Sequence, residues 1–418
     1  MPAAINLSIS GLISPAISSI LSRSEDPANV IGGYGLSLSI IMLVAFPHLR
    51  TQQLTIVFAE SYYSIIILRK FLLRLLLLIL VVSILLVIPY VNNFIFNVIF
   101  NITGELKIQA SQSLIWLIPL PCLLIIKMHF YGLALKFLKP GIIWTGTTFG
   151  TLSILIICIF LTIFSQINGA SVGSISMTVG TLLEIIFVHI SLKRKISFDN
   201  KQFDNSNISM IKITRFFLPL CFAALIPSIT FPLINSGLTR TPTPEVSISA
   251  VSIGVGIFYV MAMAINGIQS TSITLMTRGI NFNWIRNFSL GVGIITLAIT
   301  LIFIHIQFIN NLLIIRLIGL SGTLSEETIK TLKILSFLPP ILVIEQFYSA
   351  YLIFKKDTLP LVYINLWRLL VLISWIYISI FYTNFSGTTI GAGACAITLT
   401  SEALITWIYA KKNIKNPL

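Results

Sequence analysis

Apolar runs of about twenty residues or more, punctuated by short polar connections, fill the chain from end to end. A helix needs roughly 20 apolar residues to cross a hydrocarbon core about 30 Å thick. Run length and the punctuation between runs predict twelve membrane helices, at 3–22, 28–62, 71–92, 111–135, 141–165, 170–192, 212–237, 247–276, 287–309, 328–354, 359–382 and 387–410. The first run starts at Met1 with no basic leader and no small-residue cleavage site, so it reads as a membrane helix rather than a removed signal peptide.

Composition agrees with that pattern. The 418 residues are 56% hydrophobic and only 10% charged, with a mean hydropathy of +0.97, whereas soluble domains are about a quarter charged. Twelve spans use up the length, which leaves no room for a P-loop engine, a Rossmann unit or a soluble catalytic module. No acid-base or nucleophile cluster faces a polar connection, so neither enzyme activity nor a cofactor is expected. Cys122, Cys158, Cys221 and Cys395 all lie in apolar runs and read as buried thiols. His129, His189 and His305 show no metal-ligand spacing.

The net charge of +14 serves orientation rather than nucleic-acid binding. Lys and Arg alternate between the two sets of connections. One side carries 18 of them, including Arg69, Lys70, Arg74, Lys193, Arg194 and Lys411, and the other carries six: Arg23, Lys107, Arg240, Arg316, Lys330 and Lys333. The excess predicts an even number of spans with both termini in the cytoplasm. Three basic residues, Arg50, Lys127 and Arg368, fall inside spans.

The richest basic connection, Lys193 to Arg215, lies at the midpoint and divides the chain into an N-terminal lobe (1–195), a linker (196–211) and a C-terminal lobe (212–418). A shift of about 218 residues puts Phe130 and Tyr131 over Phe347 and Tyr348, Lys139 over Lys356, Gly169 and Gly173 over Gly387 and Gly391, Glu184 over Glu402, and Lys193 and Arg194 over Lys411 and Lys412. A shift of 221 places Gly33 and Gly35 over Gly254 and Gly256, each followed by a helix breaker, Pro47 or Gly267. Six helices per half make the repeats parallel, an organisation of alternating-access transporters with substrate near the midplane between the halves.

An ionisable group at mid-bilayer costs roughly 2.5–3.5 kcal/mol on insertion scales. Counted at about 1.5 Å per residue, Lys127, Glu184, Glu345, Arg368 and Glu402 share one depth, and Arg50 follows Pro47. Arg50, Lys127 and Arg368 therefore read as the basic lining of a central cavity that binds an anionic substrate. Glu345, Glu184 and Glu402 then couple protons or gate, and Arg50–Glu345 is a candidate pair. The competing reading makes Glu184 and Glu402 structural partners for basic groups within each half. His48, beside Pro47, is a candidate pH sensor; a simple hydrogen-bonded role is the alternative.

Two parallel six-helix halves without an ATPase resemble the superfamily of MATE exporters and polysaccharide flippases (MOP). Within it, Tyr34-Gly-Leu-Ser-Leu-Ser39 through Pro47 to Val57-Phe58, Ser336-Phe-Leu-Pro339 running to Lys355-Lys356, Arg368-Leu-Leu-Val-Leu-Ile373, and Gly387 to Glu402 with its basic tail resemble the progressive ankylosis (ANK) family. The resemblance implies a secondary active exporter of a small polyvalent anion such as citrate, pyrophosphate or a nucleotide, with Arg368 and Glu402 matching family positions. Glu345 and Arg50 depart from it, with charges opposite to the family's. Short loops and heavy Ile usage point to a bacterial inner-membrane protein, expected to act as a monomer with proton or sodium coupling. A lipid-linked oligosaccharide flippase is the alternative. A MATE-type cation antiporter is disfavoured because Ala3 to Leu21 carries no acidic residue.

Overall fold

The computed structural model describes residues 13–59, 61–137, 139–164, 169–195, 209–262, 264–277, 279–355 and 359–415. Among them the first half comprises α1 (13–21), α2 (Pro27–Ala45), α3 (Thr51–Phe58), α4 (Tyr62–Leu85), α5 (Pro89–Asn93), α6 (Gly104–Leu117), α7 (Leu120–Lys136), α8 (Pro140–Phe164) and α9 (Ala170–Lys195). The second comprises α10 (Met210–Ser228), α11 (Thr230–Leu238), α12 (Pro244–Met261), α13 (Ile268–Thr277), α14 (Phe282–His305), α15 (Gln307–Asn311), α16 (Gly322–Leu335), α17 (Pro339–Phe354), α18 (Leu359–Tyr382) and α19 (Gly387–Lys415). Eight helices are long and apolar enough to cross a membrane, or up to eleven when each of three bent pairs counts as one span. The run expected at 3–22 is described only over 13–21. Wide exposed apolar bands, such as Ile156, Phe160 and Ile163 on α8 and Leu366, Leu370 and Ile373 on α18, are the lipid-facing surface of a multi-pass membrane protein.

Several spans expected to be straight are broken. α6 and α7 meet at 41°, and α16 and α17 at 48°. Pro119 and Pro339, one at each bend, remove a backbone donor and prevent the helix from running through. α4 starts at Tyr62, nine residues before the expected 71, because Ser61 and Ser64 form a capping box, with Ser61 N–H donating to Ser64 Oγ (2.8 Å) and Ser64 N–H to Ser61 Oγ (3.2 Å). Arg69, Lys70 and Arg74 therefore sit within a helix, about two to three turns from its start, and not in a connection.

The duplication extends to irregular features. α5 runs into a π-helix over Phe94–Ile99, and α15 runs into one over Leu312–Leu317. The halves meet through α2 and α12. At Gly35 a Cβ would lie 2.9 Å from Ser252 Oγ, so glycine permits this close approach, and Ser249 Oγ donates to the Ala28 carbonyl at 2.7 Å. Hydrogen bonds tie the halves on the side poor in Lys and Arg, including Ser22 Oγ to the Ile318 carbonyl (2.7 Å), Arg240 Nη2 to the Ile99 carbonyl (3.2 Å) and a related pair of serine bonds. Ser19 Oγ of α1 donates to the Leu317 carbonyl and Ser236 Oγ of α11 to the Ile99 carbonyl, each at 3.1 Å. Each bond thus joins the first helix of one half to the π-helix of the other. On the opposite side α10 packs across the halves, with Phe216 on Phe58 (5.4 Å) and Phe217 on Phe71 (5.7 Å).

Candidate functional site

α1, α2, α10–α11 and α12 enclose a cavity of about 420 Å³ between the halves. Its polar lining comes from the hydroxyls of Ser18, Ser39, Ser228 and Ser252, the phenols of Tyr34 and Tyr259 and the amide of Asn235; Leu38, Met42 and Val255 supply apolar wall. No charged side chain lines it among the described residues. The volume lies within the range of small-molecule sites, and a few convergent polar groups on an apolar wall are their usual chemistry.

Phe46 marks the end of this lining on α2, and the chain then enters the 3-10 segment Phe46–Arg50, in which Pro47 occupies the first turn. At about 2 Å per residue, Arg50 lies roughly 8 Å beyond Phe46 toward the Lys- and Arg-rich side. It is half-buried, has Cys221 of α10 as an electrostatic neighbour, and forms no ion pair among the described residues. His48 Nδ1 lies 2.9 Å from the Val44 carbonyl and its ring is tilted against Phe217 at 6.3 Å, so the side chain is hydrogen-bonded and packed. Gly267 closes the corresponding 3-10 segment, Ile265–Gly267, where a Cβ would meet no atom within 4 Å.

The other mid-span charges are engaged within each half. Lys127 Nζ bonds Glu184 Oε2 at 2.8 Å, and the Tyr131 hydroxyl donates to Glu184 Oε1. Thr147 Oγ1 lies 2.6 Å from the same hydroxyl. In the second half Arg368 Nη1 bonds Glu402 Oε2 at 3.1 Å. Glu345 accepts from Gln346 Nε2 (2.7 Å) and Ser349 Oγ (2.9 Å), with Glu402 and Arg368 within electrostatic reach. The structure thus does not bring Arg50, Lys127 and Arg368 around one cavity, and Glu345 does not pair with Arg50. The reason is the cost of a buried charge, which falls when a carboxylate of the same helical bundle accepts the cation's hydrogen bonds.

The cation of the pair changes helix between halves. Glu184 and Glu402 are repeat equivalents, but Lys127 comes from α7 and Arg368 from α18. The repeat equivalent of Arg368 is Gly150 on α8, where a Cβ would stand 2.4 Å from Glu184 Oε2. The equivalent of Lys127 is Glu345.

Tyr131 could have been found from sequence, one turn after Lys127 and hence on the same face of α7. The serines, tyrosines and asparagine of the cavity carry no comparable signal, because single hydroxyls in apolar helices are common. Cys158 is buried, and Cys122, Cys221 and Cys395 are half-buried free thiols.

No family profile and no curated protein sequence matches the chain. Solved structures do match over nearly all of it. The lipid II flippase MurJ in an inward closed conformation gives a TM-score of 0.73 at 16% identity, covering 98% of this chain and 87% of that one. An inward-facing multidrug resistance MATE transporter of the MOP superfamily gives 0.70 at 14% identity, covering 99% and 95%. An outward-facing MATE structure gives 0.60 at 13% identity, covering 99% and 94%. The chain has the fold of these MATE and MurJ structures.

Proposed function

We propose that the chain is an alternating-access secondary transporter that exports a small polyvalent organic or inorganic anion. The observation that carries this reading is the hydroxyl- and amide-lined cavity between two halves, with Arg50, which no described carboxylate holds, one short 3-10 segment beyond Phe46 of its lining. The ANK-like motifs favour citrate, pyrophosphate or a nucleotide as cargo. In this account twelve helices span a bacterial inner membrane with both termini cytoplasmic, and the monomer is the working unit. Lys127–Glu184 and Arg368–Glu402 hold each half rigid while the halves rock, and Glu345, bonded only to neutral groups, is the site of proton or sodium coupling.

The second reading is a lipid-linked oligosaccharide flippase, favoured by the agreement in fold with MurJ. One experiment separates them. Proteoliposomes are assayed for flux of labelled citrate, pyrophosphate and ATP and, in parallel, for translocation of a lipid diphosphate, with wild type and Arg50→Gln. Flux of a soluble anion that Arg50→Gln weakens by raising the KM supports the exporter. Translocation of the lipid diphosphate with no soluble-anion flux replaces it by the flippase.

A further inference from the structure

The second half contains two adjoining cavities away from the space between the halves. A cavity of about 700 Å³ at the Lys- and Arg-rich end is lined by Arg286 of α14, Lys355 after α17 and Lys411 of α19. A cavity of about 350 Å³ continues from it into the membrane between the same three helices, along Leu290, Ile341, Ile344 and Leu404. Arg286, Tyr348 and Trp407 line both, so they form one channel with a basic head and an apolar tail.

Three helices bring three cations to the head, and no acidic side chain lines either cavity among the described residues. None of the three cations forms an ion pair among those residues. Arg286 has only a 3.4 Å bond to Asn287 Oδ1, and Lys411 Nζ rests 4.8 Å above the Trp407 ring. Like charges gathered this way repel, and an anion between them removes the repulsion. The tail has a matching length. Thr400, at its deep end, precedes Lys411 by eleven residues, about 16 Å along a helix, and one leaflet of hydrocarbon is roughly 15 Å thick. A soluble anion would leave this tail empty, whereas a phospholipid fills both parts, with tryptophan and tyrosine at the boundary where headgroups lie.

The duplication supplies an internal comparison. The first half has a slot at the equivalent place, but it is only about 220 Å³ and is lined by one permanent cation, Arg69, with His129 and His189. At the repeat shift of 218 residues Trp407 corresponds to His189 and Lys411 to Lys193, and Lys193 does not line the slot. The larger space and a lining of three cations belong to the second half.

We propose that the second half binds one anionic diacyl phospholipid from the leaflet on the Lys- and Arg-rich side. Arg286, Lys355 and Lys411 hold its phosphate, and an acyl chain lies between α14, α17 and α19. The site lies wholly within one half, so it is independent of the cargo carried between the halves.

Native mass spectrometry of the full chain released from detergent tests this, with dioleoylphosphatidylglycerol, dioleoylphosphatidylcholine and inorganic phosphate as probes. Wild type should retain one phosphatidylglycerol, at least tenfold more than phosphatidylcholine. Retention should fall at least tenfold in Arg286→Gln/Lys411→Gln and stay unchanged in Arg69→Gln. Leu404→Trp, which fills the tail and leaves the cations in place, should give the same loss and serves if the double variant does not fold. Equal retention of the two lipids, undiminished retention in the double variant or in Leu404→Trp, or displacement by equimolar inorganic phosphate would overturn the proposal.

Discussion

Lys127 and Glu345 occupy the same place in the duplicated fold, 218 residues apart, and carry opposite charges. In the first half the cation at that place reaches Glu184; in the second the cation reaching Glu402 comes from the facing helix, as Arg368. A carboxylate at equivalent depth has thus been retained in each half while its partner moved from one neighbouring helix to another. What the two halves share is one ion pair to the carboxylate of the last helix, and the second half adds Glu345, which Gln346 and Ser349 hydrogen-bond.

That relationship predicts how the pairs respond to mutation. Removing one partner of a buried pair leaves an uncompensated charge and costs about 3 kcal/mol, whereas removing both costs far less. Glu184→Gln and Lys127→Met should each lower the Tm of the purified protein, and the combination should recover most of the loss. Additive losses in the double variant would show that the pair contributes nothing as a unit.

Gly150 is the steric counterpart of the same arrangement. A methyl group there would stand 2.4 Å from Glu184 Oε2, which Lys127 and Tyr131 already hold in place. Gly150→Ala should destabilise by about 1–3 kcal/mol, the usual range for overpacking. Gly141→Ala, where a Cβ meets nothing within 4 Å, should be neutral or slightly stabilising. Equal Tm values for the two variants would contradict the packing argument.

The paired bonds Ser19–Leu317 and Ser236–Ile99 fix which side of the cavity is shut. Each is worth about 1 kcal/mol, so losing both shifts the closed-to-open equilibrium by roughly 30-fold. In a background without native cysteines, Ser19→Ala/Ser236→Ala should speed maleimide labelling of Val255→Cys from the side of Arg23 and Arg240. An unchanged rate would mean that the bonds do not hold the halves together.

Arg50 should act on binding rather than on stability. A charge-assisted hydrogen bond contributes about 1.5–3 kcal/mol, so Arg50→Gln should raise the KM for the transported anion roughly 10- to 100-fold while the Tm stays within a degree or two. Arg50→Lys should retain part of the affinity. A lowered Tm with unchanged KM would make Arg50 a structural residue.

Sequence periodicity was sufficient to show the helical membrane class and the internal repeat, because both are written in runs and spacings. The repeat of Glu184 at Glu402 was legible, but which cation each carboxylate meets was not. Lys127 and Arg368 sit on different helices of the repeat, and pairing depends on how helices face one another. The bends at Pro119 and Pro339 were passed over because apolar residues continue on both sides of each proline. The cavity was the least visible feature. Its polar wall is made of isolated Ser, Tyr and Asn side chains brought together from helices far apart in sequence.

The central claim is that cargo crosses between two halves that must part and close. Gly35 and Ser252 give a direct test, because a Cβ at 35 would lie 3.6 Å from the Cβ of Ser252, within the roughly 3.5–4.5 Å that a disulfide requires. Gly35→Cys/Ser252→Cys, in a background without native cysteines, should carry anion flux in proteoliposomes when reduced and lose it when oxidised. Flux that continues undiminished after complete cross-linking would contradict alternating access in this protein.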